Sequence, residues 1–153
     1  MRLVVAALAA LAVACGSIPT VPAGCVAPSQ TDVGPSPPRA GLCQGRVSTD
    51  ARVYNRGQLI TATVTYTNQS LEACTGPGAA CQVDVVVVNA AGAQVWNASS
   101  LRQACPALAL SLQPGQSKAF AVELTGANLT AGAYTAQGVQ GATEYGSYWF
   151  SVC

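Results

Sequence analysis

Residues 60–67 read Ile60-Thr61-Ala62-Thr63-Val64-Thr65-Tyr66-Thr67. Ile60, Ala62, Val64 and Tyr66 alternate with threonines at every other position. A period of two is that of a strand with one dry and one wet face. Threonine is β-branched and polar, so it suits the wet face. Asn68-Gln69-Ser70 ends the run with side chains that bond to nearby backbone and favour turns.

The same alternation recurs along the chain. In residues 81–89 (CQVDVVVVN), Val83, Val85 and Val87 alternate with Asp84, Val86 and Val88. Ala90-Ala91-Gly92 reads as a turn, and residues 93–97 (AQVWN) as the return arm of a hairpin. Leu108, Leu110 and Leu112 form the next alternating run. Gln113-Pro114-Gly115-Gln116 is a Pro-then-Gly turn, the order that suits type II. Phe120, Val122 and Leu124 alternate on the following arm, residues 134–138 form another, and a Gly-rich turn over 140–146 precedes a last strand over 147–153. No stretch of this region keeps helical spacing.

Short strands at regular spacing predict an all-β fold, an antiparallel immunoglobulin-like β-sandwich of about 7–8 strands over residues 42–153. That segment is close to the ~100 residues of such a domain. Leu129-Thr130-Ala131-Gly132-Ala133-Tyr134 resembles a tyrosine corner, in which the Tyr134 ring packs in the core and its hydroxyl bonds to backbone at the bend.

The N-terminus has a different character. Met1 and Arg2 precede an unbroken apolar run over residues 3–13 (LVVAALAALAV). That length fits the apolar region of a signal peptide and falls short of the ~20 residues that span a bilayer. Ala12-Val13-Ala14-Cys15 follows. Small residues running into Cys15 resemble a bacterial lipobox, whose cysteine is acylated and becomes the new N-terminus. Ala12-x-Ala14 also fits ordinary signal peptidase, which would make the protein secreted. The expected organisation is a signal peptide over 1–14, a lipidated N-terminus and Pro/Gly/Ser-rich linker over 15–41, and the sandwich from 42 onward. Several acyl chains on Cys15 would hold the protein at the extracytoplasmic side of a membrane in the cell envelope.

Cysteine parity supports acylation. The chain has seven cysteines, at 15, 25, 43, 74, 81, 105 and 153, and an odd thiol in an exported protein needs a reason. Removing Cys15 leaves an even set for disulfides, which an oxidising compartment allows. Cys74 and Cys81 bracket a short Gly/Pro loop and are candidates to close it. Tracing an immunoglobulin-like topology brings Cys105 to Cys153 and leaves Cys25 for Cys43, although six cysteines keep many other connectivities open.

Composition narrows the chemistry. Charged residues make up only 8% of the chain, the net charge is +1, and there is no histidine. A nucleic-acid partner is not expected without a basic excess. A zinc site is not expected without histidine or a Cys-x-x-Cys pair, and no cofactor is implied. The acids are Asp32, Asp50, Glu72, Asp84, Glu123 and Glu144. Asp84 and Glu123 fall on the wet sides of their strands, so a facing carboxylate pair is not indicated. The serines have no histidine partner. The chain is therefore not expected to be an enzyme. Asn68-Gln-Ser, Asn97-Ala-Ser and Asn128-Leu-Thr match a glycosylation sequon, but beside a bacterial-type leader they read as turn residues.

Several motifs together resemble the bacterial intracellular proteinase inhibitor (BsuPI-like) domain. Val64-Thr65-Tyr66-Thr67-Asn68-Gln69-Ser70 is similar to its strand and Asn-polar-Ser break. Residues 81–92, followed by Val95-Trp96, resemble its central strand and turn. Leu112-Gln-Pro-Gly115-Gln116 resembles its Leu-x-Pro-Gly-Glu/Gln turn, and Ala131-Gly132-Ala133-Tyr134 its Pro-Gly-Thr-Tyr turn. The resemblance covers about residues 57–138 and implies an immunoglobulin-like sandwich with proteinase inhibition as one activity. It marks no inhibitory loop. The tryptophan that family carries after the Pro-Gly turn is replaced here by a strand with Phe120 and Val122.

Three functions follow as expectations. The first is a membrane-anchored lipoprotein whose sandwich is a non-catalytic interaction module. It would hold membrane lipid through acylated Cys15 and an unidentified protein through its loops or an edge strand. Loops 74–81 and 140–148 are its candidate surfaces, with Tyr145, Tyr148 and Trp149 as possible anchors, or else as core and strand packing. The alternatives are an envelope proteinase inhibitor and a structural, self-associating surface component. Mass spectrometry of the protein from its native membrane is expected to find a mature chain beginning at an acylated Cys15. An unmodified Cys15 or a retained Met1 overturns the anchor.

Overall fold

The structure, a computed structural model, describes Cys25, Gly34 and residues 41–101, 105–125, 127–140 and 143–153. Cys15, the leader and most of the linker lie outside the described residues. Among the described residues there are ten strands. They are β1 (Gln44–Thr49), β2 (Val53–Tyr54), β3 (Thr61–Thr67), β4 (Cys74–Pro77), β5 (Asp84–Asn89), β6 (Gln94–Asn97), β7 (Ala109–Leu112), β8 (Ser117–Glu123), β9 (Gly132–Gln140) and β10 (Thr143–Val152). Two short 3-10 turns, Ala80–Gln82 and Ala98–Leu101, are the only helical segments among the described residues. The chain is all-β.

The strands form a three-stranded sheet in the order β1-β3-β8, a five-stranded sheet in the order β2-β10-β9-β5-β6, and a two-stranded sheet β4-β7. The first two meet across one core. Strand β3 buries Ala62, Val64 and Tyr66 and leaves its threonines half-exposed, as its alternation requires. Val47 and Phe120 flank them from β1 and β8. Opposite lie Val85 and Val87 of β5, Trp96 of β6, Tyr134 and Ala136 of β9, and Phe150 and Val152 of β10, all in the same buried cluster. Aromatic rings fill its middle. Tyr134 stacks on Phe150 at 5.6 Å, Tyr54 meets Phe150 edge-on at 5.7 Å, and Tyr66 meets Tyr145 at 5.7 Å. Such offset and edge contacts add to the area buried by each ring.

The Pro114-Gly115 turn behaves as its residues require. Gly115 takes φ +78°, the left-handed region that a type II turn demands at its third position. Gln116 N–H donates to the Gln113 carbonyl at 3.0 Å and closes it.

Four sequence expectations need correction. First, the sandwich is not wholly antiparallel, because β2 pairs parallel with β10, Val53 opposite Ser151 and Tyr54 opposite Val152. The chain leaves β1 in one sheet and crosses to the edge of the other without reversing, so it runs beside β10 in the same direction. Second, ten strands form among the described residues where 7–8 are expected, β1, β2 and β4 being the ones no expected run covers. β2 and β4 are too short, at two and four residues, to show a period. Third, Cys81 and Gln82 belong to a 3-10 turn rather than a strand, because Gln82 Oε1 accepts the amides of Gly78 and Ala79 and curls the chain there. Fourth, in the Gly-rich stretch 140–146 the described residues are strand, Gln140 ending β9 and residues 143–146 opening β10, with a bulge between Glu144 and Gly146.

The disulfides also differ from the sequence pairing. Cys25 bonds Cys153, Cys43 bonds Cys74, and Cys81 bonds Cys105, with Cα atoms 5.2, 5.0 and 5.8 Å apart. None of the pairs Cys74–Cys81, Cys105–Cys153 and Cys25–Cys43 forms. Cys74 opens β4, and the three further residues of that strand carry the chain away from it before Cys81. Cys43 N–H donates to the Thr75 carbonyl and Thr75 N–H to the Gly41 carbonyl, which sets Cys43 beside Cys74. Gly78 N–H donates to the Leu108 carbonyl, which brings the turn bearing Cys81 to the segment bearing Cys105. Cys153 follows β10 with its amide on the Tyr54 carbonyl, and bonds Cys25. The closed loops span 128, 31 and 24 residues, each constraining the unfolded chain by about 3–5 kcal/mol in the chain-entropy account.

The tightest packing lies around Tyr145. A Cβ on Gly45 or on Gly138 would lie well inside van der Waals contact distance of a carbon of its ring. Gly138→Ala is therefore expected to lower the unfolding free energy in denaturant by at least about 2 kcal/mol. Gly146→Ala, whose nearest neighbour would be Val47 N at 3.6 Å, is expected to cost less than about 1 kcal/mol.

Candidate functional site

The loop between β3 and β4 is built on one buried amide. Asn68 follows the last residue of β3, and its side chain is only 1% exposed. Its Nδ2 donates to the Glu72 carbonyl and to the Leu112 carbonyl, each at 2.8 Å. Its Oδ1 accepts the Ser70 amide at 2.9 Å. Ser70 Oγ lies 2.7 Å from both Asn68 Oδ1 and the Glu72 carbonyl, and donates to one of them at a time. The Asn68 backbone is bound too. Its N–H donates to the Gln116 carbonyl, and its carbonyl accepts the Gly115 amide. The hydrogen-bonding capacity of this side chain is thus spent on holding residues 69–73 against the β7–β8 turn.

Two residues past Glu72 the loop enters β4 at Cys74, which is 2% exposed and disulfide-bonded to Cys43. Between these anchors Gln69, Ser70, Leu71, Glu72 and Ala73 are all exposed. Leu71 stands 97% exposed at the tip. A solitary exposed leucine says little. One held at the tip of a loop fixed by a buried amide on one side and a disulfide on the other is a preorganised projection. Elsewhere along the β4-β7 sheet Leu42 and Leu108, 40% and 53% exposed, line an open groove with Gly76, Pro77 and Ala109.

The aromatic residues named from the sequence do not form a docking patch. Tyr145 is buried. Tyr66 donates its hydroxyl to that of Tyr145 at 3.2 Å, and Tyr145 donates in turn to the Asp84 carbonyl at 3.3 Å. The bulge in β10 turns this ring inward. Tyr148 and Trp149 are half-buried neighbours in β10, so they point to opposite faces of the sheet. Arg52 lies 4.3 Å over the Tyr148 ring and donates to the Trp149 carbonyl at 3.4 Å. Tyr134 has its ring in the core and its hydroxyl on the Thr130 carbonyl at 2.8 Å. Candidate loop 74–81 is mainly β4 and a 3-10 turn, and the described residues of 140–148 belong to β9 and β10.

The acids have structural neighbours. Asp50 Oδ1 accepts the Tyr54 hydroxyl and the Thr61 amide, each at 2.8 Å. Burial, reinforced by this carboxylate, pushes the Tyr54 phenol up to about 12. Asp84 is half-buried and Glu123 exposed. No cluster of metal-ligating side chains occurs among the described residues.

Nothing local in the sequence marks the 69–73 loop beyond Asn68-Gln69-Ser70, which reads as a strand break. The partners that make Asn68 a frame, Leu112 and Gln116, are more than forty residues away in sequence.

A family model described as "Intracellular proteinase inhibitor" (BsuPI) matches residues 47–145. No curated protein matches the chain significantly. Among solved structures, Pseudomonas fluorescens alkylpurine DNA glycosylase AlkC bound to DNA containing an abasic site analog aligns with 71% of this chain and 30% of that chain. The identity is 15% and the TM-score 0.44, a likeness too slight to carry an argument.

Removing the Asn68 side chain takes the Nδ2 donor from the Glu72 and Leu112 carbonyls and the Oδ1 acceptor from the Ser70 amide. Asn68→Ala is expected to cost about 2–4 kcal/mol in urea unfolding and to speed hydrogen exchange at the Ser70 amide. Ser70→Ala, which leaves the amide frame in place, is expected to cost about 1 kcal/mol or less.

Proposed function

The chain belongs to the intracellular proteinase inhibitor (BsuPI) family, and from that membership we propose that its partner is a proteinase, which it binds and blocks. An inhibitor of this kind is a binding protein and not an enzyme. The generic interaction module expected first from the sequence thereby yields to its alternative. The observation that carries the reading is the family match over 47–145, which contains the whole braced loop 69–73. A preformed loop loses little freedom on binding, and this is what allows tight inhibition through a contact of ordinary size.

We further propose that the protein acts outside the cytoplasm, tethered to membrane lipid through Cys15. The apolar leader over 3–13 supports this. So does the pairing of the six other cysteines into three disulfides, since disulfides persist in oxidising compartments. Cys15 is then the one cysteine of seven outside these pairs.

The oxidised full-length protein, titrated against a panel of serine, cysteine and metalloproteinases, is expected to block at least one with one-to-one stoichiometry. Unimpaired activity of every enzyme in the panel at a tenfold molar excess of the protein overturns the reading.

A further inference from the structure

We infer that the 69–73 loop is the inhibitory loop and that Leu71 is the side chain it inserts into the specificity pocket of a proteinase with an apolar S1 site. This rests on the inhibitor reading above and deepens it.

Leu71 is the most exposed large apolar side chain of the described residues, at 97%. It stands alone at the tip, with polar or small neighbours on either side. A branched aliphatic side chain matches an apolar slot and is rejected by a pocket with a carboxylate at its base. The enzymes indicated are therefore those that cut after leucine and large apolar residues, with chymotrypsin and subtilisin as representatives.

The hydrogen bonds around Leu71 explain how such a loop inhibits rather than being consumed. Asn68 grips the chain on both sides of the Leu71–Glu72 bond, at the Ser70 amide through Oδ1 and at the Glu72 carbonyl through Nδ2. Hydrolysis there consumes one water. The C–N bond breaks, the Leu71 carbonyl carbon takes the water oxygen as a carboxylate, and the Glu72 nitrogen takes both protons of the water and departs as an ammonium. Both new ends remain tied to the same buried side chain. Cys74 further holds the Glu72 side to Cys43. The severed ends stay close, so re-formation of the bond competes with their release, and the enzyme remains occupied.

The test compares inhibition of chymotrypsin, subtilisin and trypsin by the oxidised full-length protein and three variants. Leu71→Lys is expected to weaken inhibition of chymotrypsin by at least ~30-fold, the loss typical of removing an interface anchor, and to gain inhibition of trypsin. Leu71 touches almost nothing, so its thermal midpoint is expected to match the parent. Leu59→Lys, at another exposed leucine, 51% exposed, is expected to change inhibition by no more than about twofold. Asn68→Ala is expected to be cut at Leu71–Glu72 at least ~10-fold faster than the parent, as followed by mass spectrometry. If the parent blocks chymotrypsin or subtilisin and Leu71→Lys blocks them equally, the loop assignment falls while the inhibitor reading stands. Inhibition confined to cysteine or metalloproteinases has the same meaning. Rapid digestion of the parent at Leu71–Glu72 without inhibition also overturns the assignment. If no enzyme of the wider panel is blocked, the inhibitor reading itself fails.

Discussion

Tyr145 lies where Gly45 of the three-stranded sheet and Gly138 of the five-stranded sheet leave room for a ring, and its hydroxyl bridges Tyr66 to the Asp84 carbonyl. This one side chain touches both layers. A domain whose strands are rich in Val, Ala and Thr has little area per residue with which to join two sheets, so its rings carry much of the contact. Every aromatic residue of the chain except Tyr148 and Trp149 is buried. The bulge at Glu144/Gly146 accompanies the inward turn of Tyr145, as bulges commonly re-aim a side chain.

The covalent braces act where the packed layers end. The Cys43–Cys74 and Cys81–Cys105 bonds flank the small β4-β7 sheet, which has too few strands to be stable alone. Cys25–Cys153 ties the segment before β1 to the end of β10. With the sheet braced, the loop entering it at Cys74 has a fixed floor. Asn68 then couples that loop to the β7–β8 turn through bonds to Leu112, Gly115 and Gln116. An apolar tip is thus presented to solvent by a frame that reaches into the core. Such rigidity lowers the entropy lost when a partner binds.

Local readings held where the physics is local. The alternation over 60–67 became β3 with its faces as expected, and the Pro114-Gly115 turn took the backbone its residues demand. The corrections fall where distant segments decide. From the sequence Tyr145 reads either as a loop anchor or as core packing, and what makes it core is the space left by Gly45 and Gly138 in other strands. Asn68 was legible as a strand break, since short polar side chains end strands, but its bond to Leu112 O spans 44 residues and leaves no local pattern.

Periodicity, composition and turn residues by themselves determined the all-β class, the main strands with their inner faces, and the inhibitor-family resemblance, because each depends on neighbours a few positions apart. The pairing of the cysteines, the parallel edge strand, the burial of Tyr145 and the frame that lifts Leu71 into solvent were decided only by the tertiary structure. Each depends on which distant segments come within bonding distance once two sheets close on one core, and that is a property of the packed chain rather than of any window of its sequence.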